Sequence, residues 1–154
     1  MKPFLSTTFC DDIRQEVGGK QSFIGVYNTV MYVPTFPVTL PKLCVVAIYT
    51  TPSSDPPRSL KFRVLKGTEP MVDMDATPDY LKQLAEARDP VVLIPHGIQR
   101  VISPQSQVCF SPLQLDGPCI LRVVAMTEKG EVPGPGLQIQ QQERPGASVS
   151  GAGA

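Results

Sequence analysis

Ser59-Leu60-Lys61-Phe62-Arg63-Val64-Leu65-Lys66 decides the fold class. Leu60, Phe62 and Val64 alternate with Lys61 and Arg63, and a period of two gives a strand one buried and one solvated face. Upstream, Lys42 to Thr51 reads as a strand of another kind. Leu43, Val45, Ala47 and Tyr49 fall on one face, and Cys44, Val46 and Ile48 fall on the other. Such a strand should be central, or covered on both sides. Pro52-Ser53-Ser54-Asp55-Pro56-Pro57, three prolines and three turn formers, is the loop between the two.

The same rhythm runs through the rest of the chain. Phe4 to Cys10, Ser22 to Tyr27, Val91 to Ile94, Gln107 to Phe110 and Cys119 to Thr127 are further short apolar segments divided by turn residues. The last is expected to turn at Glu128-Lys129-Gly130 and pair with Leu137 to Gln141 in a terminal hairpin, with Asp116-Gly117-Pro118 as the turn before it. One segment departs from the rhythm. Thr77 can cap a helix that starts at Pro78, whose missing N–H costs nothing there, and Tyr80, Leu81 and Leu84 share a face before Pro90 stops the run after Asp89. The expectation is an all-β protein, an immunoglobulin-like or C2-like β-sandwich of about seven to nine strands with one short inserted helix. The chain has no Trp, so the core Trp of an immunoglobulin domain is missing.

Composition agrees. A chain of 154 residues can bury a core without metals or disulfides, and 17 prolines with 12 glycines favour turns over long helices. Residues 1–141 read as one domain. Residues 142–154 turn polar and then rich in Gly, Ala and Ser, as a flexible tail does. Fourteen cations balance fourteen anions without a basic stripe, which argues against nucleic acid. The start of the chain lacks the apolar run of a secretory signal, and Leu43 to Tyr49, the longest apolar run, is too short to span a bilayer. A soluble, cytoplasmic protein with no membrane partner is expected. Cys10, Cys44, Cys109 and Cys119 lack CxxC spacing, so buried reduced thiols are expected, with a Cys109–Cys119 bridge as the alternative in an oxidising compartment.

Chemistry is harder to place. His96, the lone histidine, stands at Leu93-Ile94-Pro95-His96-Gly97 with no GxSxG elbow elsewhere, so no catalytic residue is assigned. Scattered Cys and one His do not make a zinc site, and no cofactor is expected. Charge concentrates in Cys10-Asp11-Asp12-Ile13-Arg14-Gln15-Glu16-Val17-Gly18-Gly19-Lys20, a polar stretch between two strand-like runs. Asp11, Asp12 and Glu16, together with Asp73, Asp75 and Asp79, offer oxygen ligands of the kind calcium prefers, though no DxDxDG loop is present and Arg14 and Lys20 can neutralise the first group. The bland reading is a structural knot in which Arg14 forks onto Glu16 or Asp12 and Gly18-Gly19 makes a positive-φ turn. On that reading Asp12→Ala lowers the melting temperature. Tyr27 to Pro37 is apolar and broken. If exposed it is a partner-binding patch; if buried it is an irregular crossing that feeds Leu40. The candidate partner-binding residues are therefore Tyr32, Met31, Phe36, Asp11, Asp12, Arg14 and Glu16.

Four segments also resemble a known family. Phe9-Cys10-Asp11-Asp12-Ile13-Arg14, Glu16-Val17-Gly18-Gly19-Lys20, Ile24-Gly25-Val26-Tyr27 and Leu40-Pro41-Lys42-Leu43-Cys44 are similar to the opening signature of an uncharacterised family of small proteins from bacteria and their phages. The likeness runs through Leu65, and beyond it only strand rhythm matches. It implies an intracellular β-sandwich of bacterial or prophage source and no particular activity. The functional expectation is a non-catalytic interaction module that engages a host or phage protein, with a virion structural protein or a calcium-binding C2-like domain as alternatives.

Overall fold

The computed structural model describes residues 1–87 and 91–144. Its strands are β1 (Phe4–Gln15), β2 (Gln21–Tyr27), β3 (Val30–Val33), β4 (Val38–Leu40), β5 (Leu43–Pro52), β6 (Leu60–Lys66) and β7 (Glu69–Ala76). After helix α1 (Pro78–Glu86) come β8 (Val91–Ile94), β9 (Gly97–Ile102), β10 (Gln105–Phe110), β11 (Leu113–Leu115), β12 (Cys119–Thr127), β13 (Gly130–Pro133) and β14 (Leu137–Gln141). Among the described residues fourteen strands replace the expected seven to nine, with prolines such as Pro34, Pro37, Pro104 and Pro112 standing between successive short pieces. The fold class holds: two main sheets face each other in an all-β sandwich.

The first sheet runs β2-β1-β5-β9-β8, with β10 also paired to β5; the second runs β3-β14-β12-β6-β7, with β13 on β12. A small β4-β11 pair stands apart from both. The two strands read first are interior to their sheets, β5 at the centre of the first and β6 between β12 and the edge strand β7. In β6, Leu60, Phe62 and Val64 face Thr127, Ala125 and Val123 of β12 and Ala76, Met74 and Val72 of β7. Phe62 and Val64 are fully buried. In β5, Leu43, Val45, Ala47 and Tyr49 join Leu5 and Phe9 of β1 in the inter-sheet core, against Leu121, Val123, Leu137 and Ile139. The other face of β5 is covered too, as its sequence required: Cys44 is fully buried and Val46 is 1% exposed.

Helix α1 follows its sequence signals. Thr77 caps it, accepting from Tyr80 N, Pro78 opens it and Leu81 is buried in the core. It ends at Glu86, while Asp89 and Pro90 lie outside the described residues. The terminal hairpin is more broken than expected. β12 turns into β13 as read, but Pro133-Gly134-Pro135-Gly136 then interrupts the return before β14 resumes pairing with β12. Prolines cannot donate to a ladder, and the freed segment reaches the other sheet: Thr7 Oγ1 donates to Pro135 C=O at 2.5 Å. Past β14, Gln142 N–H donates to Val33 C=O, and most of the expected tail lies outside the described residues.

The cysteines correct the sequence reading. Cys44 and Cys109 are disulfide-bonded, with Cα atoms 4.1 Å apart. They are neither reduced nor joined through a Cys109–Cys119 bridge. Cys109 stands directly opposite Cys44 in the β5–β10 register, a partnership that sequence spacing cannot show. Cys10 and Cys119 are free.

Candidate functional site

The acidic stretch is not a loop between strands. β1 continues through Gln15, pairs with β2 from Phe9↔Tyr27 to Gln15↔Gln21, and outruns β5, whose pairing with β1 ends at Cys10↔Cys44. Residues beyond Cys10 therefore form a two-stranded ribbon. Gly18 and Gly19, at φ +82° and +74°, make its turn as the sequence predicts, and Glu16 N–H donates to Lys20 C=O at 2.7 Å across the base. The ribbon does not project into solvent. Gln21, at its tip, exchanges side-chain hydrogen bonds with Gln107 (3.2 Å) and Gln105 (3.3 Å) of β10. β10 and β2 lie on opposite sides of the β1–β5 pair, so this contact requires the ribbon to fold over the outer face of β5. Cys44 and Val46 are buried on this same face, turned away from the core.

The bend is built from the residues that resemble the family signature. Gly25 has φ +65°, and a Cβ there would lie 2.2 Å from Asp11 Oδ2, so only glycine leaves room for that carboxylate. Asp11 Oδ1 accepts from Tyr27 Oη at 2.5 Å. Burial, then the Asp11 hydrogen bond and charge, push the Tyr27 phenol up to about 12. On the other face Lys42 Nζ donates to Asp12 Oδ1 at 2.5 Å, and Asp12 also accepts from the Ile13 N–H. The Lys42 hydrogen bond holds the Asp12 carboxyl below the usual carboxylate range. Arg14 reaches Asp12 only as a loose ion pair at 3.9 Å, not as a fork.

The expected partner-binding residues do not form one surface. Asp11, Asp12 and Arg14 lie on the ribbon of the first sheet and Glu16 at its turn, whereas Met31 and Tyr32 lie on β3 of the second. Tyr32 is 62% exposed and lines a surface hollow with Gln140 to Glu143. Met31 is 4% exposed and belongs to the core, which corrects its assignment to a binding patch. Alternation along β3 buries Met31 no matter what its sequence neighbours suggest. Phe36 is half-buried against the same core, in the irregular crossing between β3 and β4.

The acidic groups also stay apart. Asp73 lies on β7 in the second sheet, where Arg63 binds it in a fork (2.8 and 2.9 Å), and Lys61 lies between Asp73 and Asp75 at 3.6 and 3.8 Å. Cations pair with Asp12 in the first set and with Asp73 and Asp75 in the second. Among the described residues, no group of three or more His, Cys, Asp or Glu is placed to hold a metal ion. His96 is exposed in the turn between β8 and β9. A cleft of about 540 Å³ opens beside Leu60, Lys61, Asp75, Met126 and Glu128. There Glu128 accepts from the Arg58 and Ser59 N–H groups, both at 3.0 Å, and those bonds bring its carboxyl down to about 2.

Sequence reasoning missed an exposed apolar strand on this side. β2 is a terminal strand of its sheet; Phe23, Ile24 and Val26 on it are 37%, 38% and 52% exposed, and none of its residues is charged or proline. The signal was present in Ser22 to Tyr27, an uncharged run without the alternation of a half-buried strand.

Fold and site together define an all-β sandwich protein with a signature-built ribbon folded over one sheet. Residues 5–94, more than half of the chain, match the model of a family of unknown function, DUF6941, and the chain belongs to that family. No curated protein and no solved structure matches it. Among the described residues no helix is long and apolar enough to cross a membrane.

Proposed function

We propose that this protein is a non-catalytic interaction module, of bacterial or prophage origin, that takes up an extended segment of a partner protein along β2. The observation that supports this reading is the bare edge. A terminal strand offers unpaired N–H and C=O groups, and soluble proteins blunt such edges with charge, proline or brevity. β7, the edge of the second sheet, is blunted by Glu69, Pro70, Asp73 and Asp75, and β3 is only four residues long. β2 has seven residues and none of these devices. Strand addition draws affinity from main-chain hydrogen bonds and specificity from alternate side chains, here Ile24 and Val26 on one face and Phe23 on the other.

The test compares the tagged wild-type chain with Val26→Lys and Ile24→Lys in capture from the native host. Both side chains are exposed, so melting temperatures should stay within a few degrees. A stoichiometric partner lost at least tenfold from both variants, and protecting the β2 amides from hydrogen exchange when rebound to the wild type, supports strand addition. Equal recovery by all three chains refutes it. Recovery of the chain only within purified phage particles would favour the virion alternative.

A further inference from the structure

The registers put three sulfurs in one line. Cys10 stands opposite Cys44 across the β1–β5 pair, and Cys109 stands opposite Cys44 across the β5–β10 pair. Side chains opposite one another point to the same face, so all three lie on the outer face, in a row perpendicular to the strands. Two of the sulfurs are joined, Cys44 to Cys109, and the third is a free thiol.

Ladder geometry makes both pairings reachable. In an antiparallel sheet a residue turns its N–H and C=O to one neighbouring strand, so it forms a close pair on one side and a wide pair on the other. The 4.1 Å separation marks Cys44–Cys109 as the close pair. Cys10–Cys44 is then the wide pair, with Cα atoms about 5.5 Å apart, inside the range a disulfide spans. Thiol–disulfide exchange needs the attacking sulfur on the far side of the sulfur it attacks, along the bond that breaks, and a row across three strands supplies that alignment.

We propose that Cys10, Cys44 and Cys109 form an exchangeable three-sulfur unit, in which the resident Cys10 thiol displaces Cys109 from Cys44 and releases a surface thiol. The Cys10 thiolate attacks Cys44 Sγ, the Cys44–Cys109 bond breaks, and the Cys10–Cys44 bond forms. Cys109 leaves as a thiolate and takes up, through solvent, the proton Cys10 gave away. One disulfide is consumed and one is made, so no outside oxidant is needed. Cys10 and Cys44 are fully buried, whereas Cys109 is exposed. Exchange thus moves the free thiol from a sealed position to an open one, where a small disulfide or another protein's cysteine can reach it. Burial pushes the Cys10 thiol up, the Asp11 and Asp12 carboxylates push further, and the Asp12 backbone hydrogen bond and Lys42 pull the other way. The exchange should therefore accelerate with pH.

The experiment traps the released thiol. Wild-type protein free of reductant is held folded with iodoacetamide at pH 7 and at pH 8.5, quenched in acid, and its remaining thiols are blocked in denaturant at low pH. Digestion that includes cleavage before Asp116 separates Cys109 from Cys119 for mass spectrometry. The expected product carries the alkyl group on Cys109 and a Cys10–Cys44 bridge. It should form with first-order kinetics independent of protein concentration, and at least tenfold faster at pH 8.5. Cys10→Ser and Cys10→Ala should each cut Cys109 labelling at least tenfold. An intact Cys44–Cys109 bridge after prolonged trapping overturns the proposal. So does alkylation of Cys10 with that bridge retained, or Cys109 labelling that survives both Cys10 substitutions.

Discussion

Gly25→Ala tests how the ribbon is bent. The position has φ +65°, and an L side chain there costs about 1–2 kcal/mol. The new methyl would also stand 2.2 Å from Asp11 Oδ2 and 2.7 Å from Asp11 Cγ, so the carboxylate must swing away and release Tyr27 Oη. That hydrogen bond is exposed, and its loss adds about 1 kcal/mol. The total is about 2–3 kcal/mol, read from urea unfolding midpoints at unchanged slope. In an Asp11→Ala background the two nearest atoms and the hydrogen bond are gone, leaving the backbone cost and the tight contact with Asp11 Cβ at 3.0 Å, so Gly25→Ala should cost about 1 kcal/mol less there. A spectrophotometric titration gives an independent reading. In Gly25→Ala one tyrosine should fall from about 12 part of the way toward 10, since burial stays and the Asp11 contribution is lost. Equal costs in the two backgrounds, to within about 0.5 kcal/mol, with an unchanged tyrosine titration would refute the reasoning.

Three further outcomes are expected. Glu128 has its folded pKa lowered to about 2, so it stabilises the fold above its unfolded value of 4.5 and loses that contribution as pH falls toward 2. Glu128→Gln should therefore cost about 1 kcal/mol at pH 7 after solvent screening, with the deficit closing between pH 4.5 and 2 in paired thermal melts. Asp12 is likewise lowered, by Lys42, so Asp12→Asn should melt below the wild type at pH 7, with the gap starting to close only as pH falls below the ordinary value of 3.8. Met31→Ala should cost about 2–4 kcal/mol of unfolding free energy, while Tyr32→Ala next to it stays within about 0.5 kcal/mol; comparable losses at both positions would contradict the burial pattern.

What could be read from the sequence was local. Alternation over Leu60 to Val64 identified a strand and its buried face, the two-faced run from Leu43 to Tyr49 required a covered centre, and Thr77-Pro78 started a helix where one stands. Gly18-Gly19 made a positive-φ turn because few other residues adopt that conformation cheaply. Each of these depends on a residue and its near neighbours. The site depends on which distant segments become adjacent. Met31 and Tyr32 are consecutive in sequence, yet one is core and the other surface, and only the side of the sheet that faces the sandwich decides which. Asp11 and Tyr27 meet through the β1–β2 register, and Cys44 finds Cys109 across 65 residues rather than the nearer Cys10. The ribbon's fold over β5 rests on a glutamine contact between strands on opposite sides of a pair. Backbone preference and hydrophobic period are short-range properties written into the chain, whereas register and strand order are set by the packing of the whole core, and the site's partnerships are consequences of that packing.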